Sequence, residues 1–340
     1  MNKNLQLLLE TYYFRLPKQL KGFNKELAGS LEASFKNKEL FYQDQGIKIH
    51  YYKEKNPELA CPTKNLLIVY AIINKPYILD LYPGNSLIEY LNEQGYNVFL
   101  LEWAVDTSIT HSISIEEQIF SHLIKGVKEV KTALEIEKIN LAGYCQGGTY
   151  ALIAMYYYPE LFNRAVLFNT PVDFTTAGLF QGVKFITPGL VDLIPLNQLP
   201  FQFTDVPTYP GDYVLGLLEL STLKENFKWL RAVNKWENDA IPMPTKVFKD
   251  WIKYFYQENR LAKNRLKFNG KVIDLKQIRT PILSIVADLD DIAPRRMARP
   301  IKKQLPNSKE LCVQGGHFST TAGHFAINHS WPATIKWLTG

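Results

Sequence analysis

The stretch that decides the fold is Ile139-Asn140-Leu141-Ala142-Gly143-Tyr144-Cys145-Gln146-Gly147-Gly148. Its first four residues predict a buried strand, and the apolar residues after Gln146 predict a helix that reaches Tyr157. Between strand and helix lies a glycine-x-cysteine-x-glycine turn. Glycines on both sides of the cysteine let neighbouring backbone approach without a Cβ clash, so the turn can be sharp and strained. The pattern predicts a nucleophile elbow with Cys145 in place of serine.

The helix after the elbow supports a chemical role for Cys145. Its amino-terminal N–H groups and the positive end of its dipole point at the sulfur, which favours a thiolate and an oxyanion. The alternative interpretation is a buried cysteine in a glycine-rich turn. The strand before and the helix after favour the nucleophile.

Outward from the elbow, short apolar strands alternate with amphipathic helices. Ser86 with Glu89, and Ser114 with Glu117, form capping-box patterns that predict the starts of two helices. Further strands are predicted at Leu66–Ile72, Tyr96–Leu101, Ala165–Phe168, Pro281–Ala287 and Glu310–Val313, and a last helix at Trp331–Leu338. This alternation predicts an α/β fold of the α/β-hydrolase class, with a mostly parallel sheet.

Three regions follow from this pattern. Residues 1–45 are predicted to form an amphipathic helical arm, either for ordinary packing or for docking a partner. Residues 46–173 and 271–340 form the predicted catalytic core. Between them, residues 174–270 lose the alternation and are rich in proline and aromatic residues, so an inserted helical lid is expected there.

Composition excludes several classes of protein. The 340 residues are 46% hydrophobic and 21% charged with a net charge of +6, which does not fit a disordered, collagen-like or coiled-coil chain. Three widely spaced cysteines form neither a disulfide framework nor a metal site, and they indicate a reducing, cytoplasmic setting. The longest apolar run, Leu66–Ile73, is far shorter than the roughly 20 residues that span a bilayer. No transmembrane segment and no nucleic-acid module are predicted.

A thiolate nucleophile needs a base and an acid that orients the base. In the α/β-hydrolase order the acid follows a late strand and the histidine follows the last one. His317 fits this position better than the other five histidines. Two of those lie in early loops, one lies on a helix, and two follow His317 in the chain. The acid is one of Asp288, Asp290 and Asp291, and spacing alone does not choose among them.

The oxyanion hole is expected to use the backbone N–H of Gln146 and one from the end of the Leu66–Ile72 strand, at Ala71 or Ile72. A cysteine, a histidine and an aspartate in this order support acyl transfer. Thioesters suit such a nucleophile, because exchange between a thiol and a thioester is nearly thermoneutral.

Several blocks of the chain, in order, resemble the polyhydroxyalkanoate synthases of the short, two-component type. The resemblance extends from about residue 70 to residue 338. Its blocks are Ile73–Leu81, Asn85–Leu87, Gly95–Trp103, Gly143–Gly148, Thr170–Phe174, Trp236 with Asp239, Phe255–Asn259, Asp290–Pro294 and Gly315–His317.

The resemblance implies Cys145 as nucleophile, His317 as base and Asp290 as acid. It also carries two departures. Asp291 occupies a position that is usually histidine, which weakens the choice between Asp290 and Asp291, and Phe318-Ser319 replaces the more usual aliphatic residue and glycine.

The implied reaction is polymerisation of (R)-3-hydroxyacyl-CoA, with 3-hydroxybutyryl-CoA as the expected monomer. Coenzyme A is then a leaving group, and neither a cofactor nor a metal is expected. The resemblance further implies a homodimer, a second synthase subunit and a place at the surface of polyester granules.

Basic residues are the remaining feature. Arg295, Arg296 and Arg299 are candidates for binding coenzyme A phosphates, against the alternative of an ordinary solvated face. Between Lys246 and Arg279, ten basic residues face three acidic ones, and a solvated surface is favoured there. Two other functions are kept open: a hydrolase of the same fold, such as a thioesterase or polyester depolymerase, and a catalytically silent scaffold.

Overall fold

The computed structural model describes residues 38–103, 113–176 and 243–340, together with residues 178, 182, 185, 229, 232–233, 235–236 and 241. Twelve strands lie in these ranges. They are β1 Glu39–Gln43, β2 Ile47–Tyr52, β3 Asn65–Val69, β4 Asp80–Tyr82, β5 Asn85–Ser86, β6 Asn97–Trp103, β7 Ile139–Tyr144, β8 Phe162–Phe168, β9 Lys267–Phe268, β10 Lys271–Val272, β11 Ile282–Ala287 and β12 Ser308–Val313.

The helices connect these strands. They are α1 Leu87–Glu93, α2 in three consecutive segments (Ile115–Glu117, Gln118–Leu123 and Ile124–Leu134), α3 Gln146–Tyr157, α4 Thr245–Trp251 continuing as a π-helical segment Ile252–Gln257, α5 Arg295–Gln304, and α6 Trp331–Thr339 after a π-helical segment Ala326–Ser330. Short 3₁₀ turns lie at Pro57–Leu59, Pro76–Leu79, Pro159–Leu161, Phe174–Thr176, Leu275–Gln277 and His317–Thr320.

The main sheet has eight strands in the order β1-β2-β6-β3-β7-β8-β11-β12. The pairs from β6 to β12 are parallel, whereas β1 and β2 join the sheet in antiparallel fashion. The central strands β3 and β7 are buried along their whole length because helices cover both faces of the sheet. The carboxyl ends of β3, β7, β8, β11 and β12 therefore meet at one edge, where a site can form.

The two-residue repeat of the strands divides the core between two layers. In β3, Leu67 and Val69 pack on the face covered by α2 and α3, and Leu66 and Ile68 pack on the face covered by α1 and α6. A run that is apolar at every position is thus what a central strand requires, and this explains why the sequence identified β3, β7 and β11 directly.

The predicted elements agree with the structure in type and order. The helix after the elbow spans Gln146–Tyr157 as predicted, while the strands differ by up to three residues at their ends. The Ser114–Glu117 capping box forms in full. At Ser86 only half of the box forms, because the Glu89 carboxylate binds the N–H of Gly84 instead.

The predicted helical arm, residues 1–45, lies outside the described residues as far as residue 37. Its last part differs from the prediction, because Glu39–Gln43 forms the antiparallel edge strand β1. Tyrosine and phenylalanine within Glu-Leu-Phe-Tyr-Gln favour an extended backbone, and pairing with β2 supplies the backbone hydrogen bonds that a single helical turn lacks.

Most of the predicted lid, residues 174–270, also lies outside the described residues, so the lid stays a prediction. The described part, from Met243 onward, packs on the core. Trp251 and Phe255 are buried in the same cluster as β3 and α3, and the β9–β10 hairpin accepts hydrogen bonds from Tyr156 and Tyr157. No helix in the described ranges is long and apolar enough to cross a membrane.

Candidate active site

Cys145 occupies the apex of the turn between β7 and α3. Its backbone has φ 52° and ψ −121°, a conformation that costs a non-glycine residue about 1–3 kcal/mol. Two backbone hydrogen bonds hold it there: the Cys145 N–H donates to Phe168 O at 2.8 Å, and the Gly148 N–H donates to Cys145 O at 3.0 Å. The strained elbow predicted from the glycine pattern is therefore present.

The glycines beside Cys145 are required by close packing. A Cβ atom on Gly143 would lie 2.4 Å from the Cα of Gly148, and one on Gly147 would lie 2.1 Å from the carbonyl oxygen of Val69. Both distances are far below van der Waals contact, and both neighbours are backbone atoms that cannot rotate away. The start of α3 can thus pack directly against the end of β3.

The close packing of α3 against β3 places the end of β3 next to the predicted oxyanion hole. The same Cβ position on Gly147 is 2.7 Å from the carbonyl oxygen of Tyr70, so the end of β3 passes beside the first turn of α3. Ala71 and Ile72 follow directly and are buried. The structure brings these two residues to the elbow that contains Gln146, and their role in binding an oxyanion stays a prediction.

His317 and Asp290 form a buried pair on the loops after β12 and β11. The Nδ1 atom of His317 lies 2.8 Å from Oδ2 of Asp290, and both side chains are almost fully buried. The other carboxylate oxygen, Oδ1, accepts the N–H groups of Ile292 at 2.9 Å and Ala293 at 2.8 Å. With three hydrogen bonds, the carboxylate is fixed in one orientation against the imidazole.

The three nearby aspartates, which sequence spacing did not separate, have different positions. Asp290 contacts His317. Asp288 accepts the N–H of Gly315 at 2.9 Å and so ties the two loops together. Asp291 is exposed to solvent. The position that the resemblance assigns to the acid is thus the one that meets the imidazole.

The surroundings of His317 control its protonation. Burial alone would lower the pKa of His317, but the Asp290 carboxylate and the neighbouring Cys145 outweigh it, and the pKa of His317 is raised well above its usual value. Further interaction with the Cys145 side chain also raises the pKa of His317. Because Asp290 occupies Nδ1, the nitrogen that faces the thiol is Nε2. Cys145 therefore lies within electrostatic range of the His317–Asp290 pair, and the role of the three residues as a catalytic triad stays a prediction.

Asn169 is a residue of the site that sequence reasoning missed. It follows β8, has φ 45° and is buried. Its Nδ2 group donates to the backbone oxygen of His317 at 2.5 Å and to Oγ1 of Thr320 at 2.8 Å, so it fixes the backbone that carries the imidazole. The available signal was an asparagine directly after a strand, a residue type that tolerates the left-handed conformation.

A cavity of about 70 Å³ opens beside Cys145, and part of its wall is formed by Ile292 and Ala293, whose N–H groups bind Asp290. Its lining is apolar except for Gln146, the Cys145 thiol and the Tyr256 hydroxyl. Burial raises the pKa of Tyr256, with a further contribution from Cys145, so this hydroxyl stays protonated at neutral pH. The lining residues are Ile73, Cys145, Gln146, Pro171, Phe174, Met243, Phe248, Trp251, Ile252, Tyr256, Ile292, Ala293 and Met297.

A buried clamp fixes one wall of this cavity. The Asn259 Oδ1 atom accepts the N–H of Phe174 at 3.0 Å, and its Nδ2 group donates to Oδ1 of Asp173 at 2.8 Å. The Phe174 ring packs against Trp251 and Tyr256, with centroids 5.8 and 5.0 Å away. The clamp therefore joins residues far apart in sequence and holds three lining aromatic rings in place.

The three candidate arginines do not line the cavity. Arg295 binds Glu310, with Nη2 2.6 Å from Oε1. Arg296 and Arg299 are exposed on α5, whereas its buried face presents Met297 and Ala298. Binding of coenzyme A phosphates by these arginines stays a prediction, and its location would be the surface outside the cavity.

Comparison with known proteins gives one family and a set of relatives. A family model described as alpha/beta hydrolase fold matches residues 64–320. The chain is 28% identical over 88% of its length to a poly(3-hydroxyalkanoate) polymerase subunit PhaC of Haloferax mediterranei and covers 63% of that protein. It is 26% identical over 92% of its length to the corresponding protein of Allochromatium vinosum, and covers 90% of it.

Solved structures share the architecture at lower identity. A non-heme bromoperoxidase of Mycobacterium tuberculosis, described as putative, superimposes with a TM-score of 0.56 at 15% identity, over 88% of this chain and 98% of that one. A serine hydrolase from a Cycloclasticus bacterium gives a TM-score of 0.56 at 14% identity, over 89% of this chain and 98% of that one. At such identities the similarity establishes the fold alone.

Proposed function

The chain belongs to the alpha/beta hydrolase fold family, and from this premise we propose that it is a polyhydroxyalkanoate synthase that polymerises (R)-3-hydroxyacyl-CoA. The relatives support polyester synthesis in general. The proposal adds the monomer, with 3-hydroxybutyryl-CoA as the expected one, the release of coenzyme A, and an acyl-enzyme on Cys145.

The observation that carries the proposal is the connected arrangement of Cys145, His317 and Asp290. Cys145 is on a strained elbow at the start of a helix, its electrostatic interaction with His317 raises the pKa of that histidine, and the Asp290 carboxylate lies 2.8 Å from the imidazole. This is the geometry that activates a thiol for attack on an acyl carbon.

In the first step His317 takes the thiol proton, and the Cys145 sulfur attacks the thioester carbonyl. The N–H groups of Gln146 and of Ala71 or Ile72 would stabilise the oxyanion of the tetrahedral intermediate. Collapse of the intermediate breaks the bond to the coenzyme A sulfur, which leaves with the proton from His317. The product is a Cys145 thioester and free coenzyme A.

In the second step the 3-hydroxyl of another hydroxyacyl unit attacks the Cys145 thioester. His317, oriented by Asp290, removes the hydroxyl proton, and the new ester bond replaces the bond to sulfur. The regenerated thiol receives the proton back. The apolar cavity suits this transfer, because water that reached the acyl-enzyme would hydrolyse it and end the polymer chain.

The proposal also covers the partners of the chain and its location in the cell. We expect a homodimer, a requirement for a second synthase subunit, and an enzyme in the cytoplasm at the surface of polyester granules. Coenzyme A acts as leaving group, and the reaction requires neither metal nor cofactor.

The test supplies (R)-3-hydroxybutyryl-CoA to the purified chain, with and without a candidate second subunit, and measures free thiol and insoluble polymer. The amount of free thiol released should equal the amount of monomer built into the polymer. Release of thiol without polymer would identify a thioesterase instead. Activity of a Cys145→Ala variant above background would contradict the covalent mechanism.

A further inference from the structure

The Gln146 side chain is a polar group that the proposed mechanism leaves unused. Its backbone N–H is assigned to the oxyanion hole, and the residue also lines the cavity beside Cys145, where a half-turn of the side-chain amide exchanges the positions of Oε1 and Nε2. The Oε1 atom is buried and has no hydrogen-bond partner in the part of the chain that the structure describes. A buried acceptor without a donor costs about 1–3 kcal/mol, so a bound ligand that supplied a donor to this amide would be stabilised there.

The cavity restricts which donor can reach Gln146. Its walls are formed mainly by apolar and aromatic side chains such as Phe174, Trp251 and Met297. The volume of about 70 Å³ suits a short acyl chain rather than a bulky group. A ligand that fits must therefore be apolar over most of its surface and carry one hydroxyl or amide hydrogen near the reacting carbon.

The position of Gln146 in the chain fixes the distance to the reaction. It is the residue after the nucleophile, so its side chain starts one residue from the atom that becomes acylated. In a 3-hydroxyacyl group attached to the Cys145 sulfur, the hydroxyl oxygen is three bonds from the carbonyl carbon. An unsubstituted acyl group of the same length has no donor there and would leave Oε1 unsatisfied.

We propose that the Gln146 side-chain amide accepts a hydrogen bond from the 3-hydroxyl of the acyl group and so selects hydroxyacyl over plain acyl thioesters. This inference rests on the proposed function, because it assumes that the acyl group is bound to Cys145. A site that hydrogen-bonds a substrate hydroxyl rejects an analogue without it, because its own polar atom is then left unpaired in an apolar cavity.

The experiment measures acylation of Cys145 by (R)-3-hydroxybutyryl-CoA and by butyryl-CoA, using mass spectrometry of the intact protein in single turnover. The natural chain should prefer the hydroxyacyl substrate by about tenfold or more. In Gln146→Met, a side chain of similar length without a strong acceptor, the preference should fall to about threefold or less.

Gln146→Glu is the conservative control, because it keeps an acceptor oxygen at the same place, as a carboxylate in place of the amide. Its negative charge beside the sulfur slows acylation by both substrates, but the ratio of the two rates should stay near that of the natural chain. Since the readout is a ratio within one variant, a general loss of folding or activity cancels.

The outcomes separate this inference from the proposed function. If neither substrate acylates Cys145, the proposed function fails. If both acylate the natural chain at equal rates, or if Gln146→Met keeps the full preference, the proposed function stands and the role of Gln146 is overturned. The second result is also the one expected if Gln146 only binds a water molecule.

Discussion

Cys145 lies between two regions that are built by different means. On the imidazole side, defined by Asn169, Asp288, Asp290 and His317, polar side chains hold one another and the loop backbone with hydrogen bonds of 2.5 to 2.9 Å. On the cavity side, defined by the residues that line the cavity, apolar and aromatic side chains pack together and few polar atoms are present.

Under the proposed function, this difference divides the two requirements of acyl transfer between the two regions. Proton transfer needs groups held in fixed orientations, and buried hydrogen bonds supply that precision. An acyl chain needs a dry space of fitting shape, and packed side chains supply that. Changes on the imidazole side should therefore affect the rate of the chemical steps, and changes on the cavity side should affect which substrate is accepted.

The largest effect is expected at Cys145, which both regions adjoin. Cys145→Ala removes the nucleophile and should lower thiol release by at least about 10⁴-fold, because no acyl-enzyme can form. The measurement is coenzyme A release from (R)-3-hydroxybutyryl-CoA. Cys312→Ala is the matched control, since Cys312 is a free thiol on β12 away from the site, and its rate should stay within about twofold.

On the imidazole side, Asp290→Asn should lower kcat/KM by about 10³- to 10⁴-fold, because the orienting charge is lost. The same change lowers the pKa of His317, which the carboxylate raises, so the limb of the pH profile that reports His317 should move to lower pH. Asp291→Asn, at an exposed position, should stay within about threefold and leave the profile in place. Equal losses in both variants would contradict the assignment of the acid.

On the cavity side, Asn259→Asp places two carboxylates together at the clamp and should lower kcat/KM by about 10- to 100-fold, chiefly through KM. The exchanged pair Asp173→Asn with Asn259→Asp restores the hydrogen bond between the two side chains with donor and acceptor reversed, and the new carboxylate at position 259 can still accept the N–H of Phe174. Because Asp173 Oδ1 also accepts the N–H and hydroxyl of Thr175, the exchanged pair should recover only part of the activity. Asn264→Asp is the control, because Asn264 has the same left-handed backbone and is not among the residues that line the cavity. Failure of the exchanged pair to recover would show that the clamp does not set the wall.

The smallest effect on activity is expected at Asp80, a buried carboxylate on β4 that belongs to neither region. Burial raises the pKa of Asp80 to about 6, partly offset by a hydrogen bond from Ser86 at 2.7 Å. The folded chain therefore binds a proton more tightly than the unfolded chain, and this group's contribution to stability falls as pH rises from about 4 to about 6. Above that pH range the buried Asp80 carboxylate is charged, and its desolvation lowers the free energy of unfolding.

Asp80→Asn should accordingly raise the free energy of unfolding at pH 7.5 by about 1–2 kcal/mol and flatten its dependence on pH between about 4 and 6. Denaturant unfolding at several pH values measures both effects, and activity should change little. A variant that is less stable at pH 7.5 would show that the charge of Asp80 has a partner that stabilises it.

Much of the secondary structure and of the candidate site could be predicted from local sequence patterns. The elbow, the order of strands and helices, and the choice of Cys145 and His317 depend on residue types over short windows. Fully apolar runs identify central strands, and glycines around the cysteine identify the turn, because steric limits act between residues that are close in the chain. The edge strand β1 was missed, since its pairing with β2 and not its own pattern stabilises it.

What the sequence by itself determined is the fold and the position of the candidate reacting groups on it, because backbone sterics and hydrophobic periodicity are local. Only the tertiary structure decided which of three aspartates meets the imidazole, that Asn169 holds the His317 backbone, and that Asn259 fixes Phe174. These contacts join residues 27 to 148 positions apart, and their geometry depends on how whole strands and loops pack. Hydrogen bonds act within about 3 Å, a precision that residue spacing along the chain cannot specify.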